Sequence, residues 1–113
     1  MPTSISPLSQ IHPKAEIGQN VTIGPFCHIG AKARIGDGTQ LGSNVTIGAN
    51  AVLGPDNFVF PMCVIGEPAL TGCPLGSNSV EIGRRNIFRS GAVITGNTKI
   101  GSRNHFFQHC VIG

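Results

Sequence analysis

The chain has 113 residues, of which 16 are glycine and 12% are charged, and it contains no tryptophan or tyrosine. A compact domain of this length normally uses large aromatic side chains, so the composition indicates a thin molecule with little room inside. The net charge of +3 comes from scattered Lys and Arg, without a basic run or interleaved aromatics, which argues against nucleic-acid binding. No signal peptide or transmembrane segment is predicted, so we expect a cytoplasmic protein without membrane insertion.

An aliphatic residue recurs at every sixth position through most of the chain. A small or slim residue stands two positions before most of these residues, and a glycine follows most of them. The repeat is carried by Ile11, Ile17, Ile23, Ile29, Ile35, Leu41, Ile47, Leu53, Val59 and Ile65, and then by Ile82, Phe88, Ile94, Ile100, Phe106 and Ile112. This hexapeptide period predicts an all-β solenoid in which three short sides close one triangular coil.

Residues eighteen apart in sequence are expected to stack at about 4.8 Å, the spacing of neighbouring strands. The period resembles that of the hexapeptide proteins, which form left-handed parallel β-helices, and this resemblance alone supplies the handedness. We therefore predict one left-handed β-helix domain over residues 1–113, with about five coils.

The period is interrupted once, between Ile65 and Ile82. Residues 67–79 contain two prolines, two glycines and no apolar period, which predicts a loop that leaves the coil. Loops on rigid scaffolds often carry function, although a tolerated insertion is the alternative. The candidate substrate contacts in this loop are Glu67, Leu70 and Thr71.

Three segments share one arrangement when Ile82 is placed above Leu53. Each begins with an asparagine, and stacked asparagines in such coils are expected to form a ladder of inward amides. The asparagines of this structural ladder are Asn57, Asn86 and Asn104.

In the same three segments a larger residue replaces the glycine that usually follows the vertex. An outward row of aromatic side chains indicates a covered surface, and the expected cover is a second copy of the chain around a threefold axis. The residues predicted to form this homotrimer interface are Phe58, Phe60, Arg89 and Phe107.

His105 and His109 are predicted to lie at the end of this face. A histidine in a partly apolar cleft between subunits can deprotonate a hydroxyl near neutral pH, so both are candidate catalytic bases. A polar surface or interface role is the alternative for both. No metal site is predicted. A γ-class carbonic anhydrase is a weaker alternative, because His28 is about four coils away and a third zinc ligand is missing.

Cys27, Cys63 and Cys110 occupy the same slot of the repeat, two positions before the vertex. No pair shows the spacing of a metal or redox motif. We therefore interpret these cysteines as small buried thiols that pack inside the coil.

Several segments resemble, in the same order, the UDP-N-acetylglucosamine O-acyltransferases that use acyl carrier protein. They are Ile11–Ala15, Ile23–Cys27, Asp56–Glu67, Val80–Asn86 and Thr98–Asn104. The run Val-Glu-Ile-Gly-Arg-Arg-Asn and the position of the loop are the specific parts. The resemblance covers nearly the whole chain but only the first part of the family's β-helix. It implies an acyltransferase of lipid A synthesis that is a homotrimer, binds acyl carrier protein and a UDP-sugar, and needs no cofactor.

Two departures from that family bear on activity. Residues 69–72 replace its charged Asp-Leu-Lys element in the loop. The resemblance also places the family's catalytic histidine one position beyond Gly113, and it aligns His109 with an earlier, non-catalytic position. We therefore expect little activity from this chain alone, with a non-catalytic trimeric scaffold as the alternative.

Overall fold

A computed structural model describes residues 3–67, 80–95 and 98–112. These residues form short strands, and no helix occurs among them. The first nine strands are β1 Ser4–Ile5, β2 Gln10–Ile11, β3 Glu16–Ile17, β4 Thr22–Ile23, β5 His28–Ile29, β6 Arg34–Ile35, β7 Gln40–Leu41, β8 Thr46–Ile47 and β9 Val52–Leu53. The others are β10 Phe58–Val59, β11 Val64–Glu67, β12 Val80–Ile82, β13 Ile87–Phe88, β14 Val93–Thr95, β15 Thr98–Ile100, β16 His105–Phe106 and β17 Val111–Ile112.

The strands form three parallel sheets, which are the three sides of a triangular solenoid. The first side contains β1, β4, β7, β10, β13 and β16, and the second side contains β2, β5, β8, β11, β14 and β17. The third side contains β3, β6, β9, β12 and β15. Each strand therefore pairs with the strand three places later in the chain, and the solenoid has about five coils. The predicted all-β, left-handed parallel β-helix is confirmed.

The register is the one that the hexapeptide period predicts. On the third side Ile82 lies opposite Leu53, although the interruption separates them in sequence. On the first side Val59 lies opposite Phe88, which in turn lies opposite Phe106. The rings of Phe88 and Phe106 stack with centroids 4.7 Å apart, close to the strand spacing.

The core is a narrow column of vertex residues and of the slim residues two positions before them. Ile47, Leu53, Ile65 and Ile94 are at most 1% exposed. Burying such a side chain fully stabilises the fold by about 1.5–3 kcal/mol relative to leaving it in water. Because each coil contacts only its neighbours, the stability of the solenoid builds up coil by coil.

Most corners of the solenoid contain a residue with a left-handed backbone. Asparagine and aspartate tolerate this conformation, whereas larger side chains adopt it at a cost. The non-glycine residues with positive φ are Asn20, Phe26, Lys32, Asn44, Asn50, Asp56, Met62, Arg85, Arg103 and His109.

The coil begins one hexapeptide before Ile11, the first residue of the predicted repeat, and within the predicted domain of residues 1–113. Strand β1 pairs with β4, with Ile5 opposite Ile23, so the first described side precedes Ile11. Ile5 stands six positions before Ile11 and carries the same period, but its 41% exposure shows why the signal there is weak. Leu70 and Thr71 of the predicted loop lie outside the described residues. In the described ranges no helix is long and apolar enough to cross a membrane.

Candidate functional site

Two asparagine side-chain amides are buried directly before the first-side strands β10 and β13. Asn57 and Asn86 are both fully buried. The Nδ2 of Asn57 donates to the carbonyl oxygens of Gly54 and Gly83, each at 2.8 Å. Its Oδ1 accepts the backbone N–H of Asn86 at 2.8 Å and the Asn86 Nδ2 at 3.1 Å. The backbone N–H of Asn104 then donates to Asn86 Oδ1 at 2.8 Å, so the three asparagines stack in one column.

Asn104 differs from the other two members of this column. It is exposed, because no described coil covers it. The expectation of an inward, buried amide therefore describes Asn57 and Asn86 but not Asn104. The column still fixes the register of the three coils that carry the predicted interface residues.

The predicted interface residues lie together on the first side. Phe58 is 44% exposed and Phe107 is 68% exposed. Phe60 is only half-buried rather than fully outward, because the Arg89 guanidinium carbon lies 4.9 Å from the centroid of its ring. This distance fits a cation–π contact. We refer to Phe58, Phe60, Arg89, His105 and Phe107 as the first-side patch.

His105 is held within this patch by its neighbours. The Nε of Arg89 donates to His105 Nε2 at 3.1 Å. Since Nε2 accepts this hydrogen bond, the neutral imidazole carries its proton on Nδ1. The ring also lies 4.9 Å from the ring of Phe107. The hexapeptide period predicts Arg89 and His105 on the same face, whereas their hydrogen bond becomes visible only in the structure.

His109 lies beside the patch, at the corner between the first and second sides. It is exposed and has a φ of 60°. A Cβ on Gly91, one coil earlier, would lie 2.7 Å from His109 Nδ1, so the glycine leaves room for the imidazole. His109 makes no side-chain hydrogen bond or ring contact with other described residues.

The other two histidines lie on the second side, in earlier coils. His12 Nδ1 accepts the backbone N–H of Lys14 at 3.0 Å. His28 lies opposite Gln10 in the adjacent coil. Within residues 3–67, 80–95 and 98–112, no three His, Cys, Asp or Glu side chains are grouped closely enough to hold a metal ion.

A buried thiol supports the patch from inside the coil. Cys63 is fully buried and its Sγ–H donates to the carbonyl oxygen of Arg89 at 3.0 Å. Burial raises the pKa of the Cys63 thiol, which keeps the proton on sulfur. Cys27 makes the equivalent contact to the carbonyl oxygen of Gly42, also at 3.0 Å. These thiols thus act as donors to the backbone of the next coil.

Comparisons with known proteins agree with this architecture. Residues 21–55 match the family model described as bacterial transferase hexapeptide (six repeats). The structure is similar to the UDP-N-acetylglucosamine acyltransferase of Francisella novicida, with a TM-score of 0.88 and 36% identity over 96% of this chain. It is also similar to that enzyme from Bacteroides fragilis, with a TM-score of 0.88 and 31% identity over 96% of this chain. The chain therefore carries the hexapeptide repeat and is similar in fold and sequence to these acyltransferases.

The match to these acyltransferases is partial. The chain covers 43% of the Francisella protein and 46% of the Bacteroides protein, so it spans less than half the length of either. A perosamine N-acetyltransferase from Caulobacter crescentus shares the fold, with a TM-score of 0.64 at 18% identity over 100% of this chain and 51% of that one. No curated protein sequence matches the chain.

Proposed function

We propose that this chain forms part of the β-helix of an enzyme that transfers an acyl group from an acyl-carrier-protein thioester to a UDP-amino sugar. The observation that carries the proposal is the 36% identity over 96% of the chain to a UDP-N-acetylglucosamine acyltransferase. The first-side patch is the surface proposed to contact a second subunit and to border the substrate-binding cleft.

The proposed active form is a homotrimer in which the first-side patch faces the adjacent subunit. Phe58 and Phe107 are 44% and 68% exposed in the single chain, and a partner subunit would remove both rings from water. Arg89 lies in the coil between those of Phe58 and Phe107, and His105 lies in the same coil as Phe107, with the two rings 4.9 Å apart. Assembly would therefore place both histidines at the edge of a cleft between subunits.

In the proposed reaction a sugar hydroxyl attacks the thioester carbonyl carbon while a histidine accepts the hydroxyl proton. The new carbon–oxygen bond forms, the carbon–sulfur bond breaks, and the carrier thiol leaves with a proton from the histidine. A backbone N–H stabilises the oxyanion in between. Of the two candidate bases within this chain, His109 is preferred to His105, because the Nε2 lone pair of His105 already accepts a hydrogen bond from Arg89. The family resemblance places its own catalytic histidine elsewhere, one position beyond Gly113.

The test is the direct detection of acylated UDP-sugar by mass spectrometry. The chain is incubated with acyl carrier protein thioesters of several chain lengths and UDP-N-acetylglucosamine. The sequence predicts slow turnover, so the assay uses a high protein concentration and long times. We expect product that falls by about tenfold or more in His109→Ala. Lys14→Gln, an exposed change on another corner, is the matched control and should leave the rate unchanged.

The alternative is a trimeric scaffold that catalyses no reaction. The contacts within the first-side patch fit such a scaffold, and the absence of product would favour it. Arg89 and His105 bond to each other, and their patch is mostly aromatic. A stable trimer that yields no acylated sugar with any thioester would overturn the acyltransferase proposal and support the scaffold.

A further inference from the structure

The corner between the third and first sides carries a cluster of arginines in adjacent coils. Arg84 and Arg85 form the corner before β13, and Arg103 lies at the same corner before β16. The backbone N–H of Arg103 donates to the carbonyl oxygen of Arg84 at 3.0 Å, so the two corners stack directly. All three side chains belong to exposed residues. The guanidinium groups therefore extend into solvent from a backbone with a rise of about 4.8 Å between coils.

None of the three arginines forms an ion pair with a carboxylate in the described part of the chain. The described ion pairs are Arg34 with Glu16 and Lys99 with Glu81, both outside this corner. Arg89, the remaining arginine, contacts Phe60 and His105.

The neighbouring polar groups leave the arginines available to a ligand. Asp56 occupies the corner one coil earlier and is exposed, but it forms no ion pair with Arg85. The Oγ of Ser102 accepts the backbone N–H of Arg84 at 3.1 Å. The Ser102 hydroxyl proton remains free to donate to the same anion.

We infer that this arginine corner, formed by Arg84, Arg85, Ser102 and Arg103, binds a phosphate-bearing small molecule, with a diphosphate as the best fit. The planar guanidinium group matches phosphate oxygens in a bidentate fashion, and such charge-assisted bonds are strong. Three arginines on two stacked corners can reach the oxygens of two linked phosphates. The inference rests on the corner itself and does not depend on the proposed acyl transfer.

A larger polyanion fits this corner less well than a small one. A duplex-binding protein typically contacts about 6–10 phosphates, which requires a basic stripe. The corresponding corner residues in the earlier coils are Asn20, Gly38 and Asp56, so the positive charge does not continue along the solenoid.

The experiment is calorimetric titration with inorganic pyrophosphate at low salt, with UDP as a second ligand. We expect binding of both that weakens as salt rises. The test variant combines Arg84→Gln, Arg85→Asn and Arg103→Asn, and it should weaken pyrophosphate binding by about tenfold or more. Asparagine suits the two left-handed positions, since Asn20 occupies that position in an earlier coil with a φ of 60°. The variant should therefore stay folded, and a melting curve checks this.

The matched control removes the same charge elsewhere, through Lys14→Gln, Lys32→Gln and Arg34→Gln. This variant should keep the pyrophosphate affinity within about twofold, because screening weakens long-range charge effects. Equal loss in both triple variants would mean that only net charge matters and would overturn the site. Absence of binding at low salt would overturn it as well.

If the triple variant does not fold, Arg84→Gln alone is used, with an expected loss of at least threefold. If UDP binds more tightly than pyrophosphate, the site recognises a nucleoside diphosphate. If the two ligands bind with equal affinity, the site recognises the phosphate groups alone.

Discussion

Asn57 is a fully buried polar side chain in a core that is otherwise mostly aliphatic, and each of its polar atoms has a partner. Replacing it with alanine would leave two carbonyl oxygens and the Asn86 groups without these partners. We expect Asn57→Ala to lower the free energy of unfolding by about 3 kcal/mol, since each buried unsatisfied group costs about 1–3 kcal/mol. Urea unfolding followed by circular dichroism measures the change.

Asn104→Ala is the matched control, because Asn104 occupies the same column but is exposed. Its substitution should cost less than about 1 kcal/mol, as is usual for surface positions. Equal losses for the two variants would show that the buried amide bonds do not stabilise the ladder.

Because of Cys63, the stability of the fold is expected to decrease at high pH. Burial raises the pKa of its thiol in the folded chain, so the folded state binds this proton more tightly than the unfolded state does. The resulting stabilisation is complete below the usual pKa of a thiol, about 8.5. It is lost as the pH rises above that value, since the unfolded thiol then ionises more readily. Urea midpoints measured from pH 7 to 10 should therefore fall in the native chain.

Cys63→Ala isolates this contribution. Alanine occupies the equivalent buried slot at Ala33 and Ala51, so the variant is expected to fold. Its midpoint should fall less steeply with pH than that of the native chain. Parallel pH profiles would assign the decline to other groups.

At the scale of single residues, the sequence predicts which coil and side a residue occupies better than it predicts which side chains contact each other. The stacking of Asn57 on Asn86 follows from the period alone, because both stand one residue before a first-side strand. The hydrogen bond from Arg89 to His105 does not follow, since it joins residues on neighbouring coils through long side chains whose rotamers the period leaves open. The same reason explains why Phe60 is half-buried rather than fully outward.

At the scale of the strands, the glycine that follows most vertices sets how closely two coils approach. A Cβ on Gly36 would lie 2.6 Å from both the carbonyl oxygen of Gly54 and the backbone nitrogen of Pro55. Backbone atoms cannot move aside independently, so the two coils would have to separate. We expect Gly36→Ala to lower the free energy of unfolding by about 1–3 kcal/mol, the usual cost of overpacking. Chemical unfolding measures it.

Gly101→Ala provides the comparison, because Gly101 follows a third-side strand just as Gly36 does. A Cβ there meets no described atom within 4 Å. Its substitution should be neutral, or stabilising by about 0.4–1 kcal/mol through the smaller entropy of the unfolded chain. If Gly36→Ala is as mild as Gly101→Ala, the close approach of the coils is not what selects glycine.

Most strands could be predicted because each short side of the coil contains one inward-facing aliphatic residue. This arrangement produces a six-residue period that is easily recognised in the sequence. Strand β1 lies within the predicted domain, although the predicted repeat starts only at Ile11, because a single hexapeptide, carried by Ile5, precedes it. The return to the coil follows from the period as well, since β12 begins at Val80, whereas Glu67, predicted as the first loop residue, is the last residue of β11.

At the scale of the whole molecule, the solenoid and its register follow from sequence, whereas the use of each surface does not. The predicted first-side patch is assembled by stacking, and so is the arginine corner. Charge clusters such as Arg84, Arg85 and Arg103 become visible only when the corners are aligned. Exposure alone cannot assign a partner either, since Phe26 and Phe107 are 58% and 68% exposed.

That similarity between Phe26 and Phe107 makes them a matched pair for testing the proposed trimer. Phe107 belongs to the first-side patch, and Phe26 lies at a corner in the second coil. Sedimentation equilibrium over a dilution series should show a trimer that dissociates as the chain is diluted. We expect Phe107→Ser to raise the trimer dissociation constant by about tenfold or more, because a buried aromatic anchor dominates an interface. Phe26→Ser should change it by less than about threefold, as a residue outside the interface core does. If both variants dissociate equally, the first-side patch is not the interface, and a native chain that stays monomeric at every concentration would exclude the trimer.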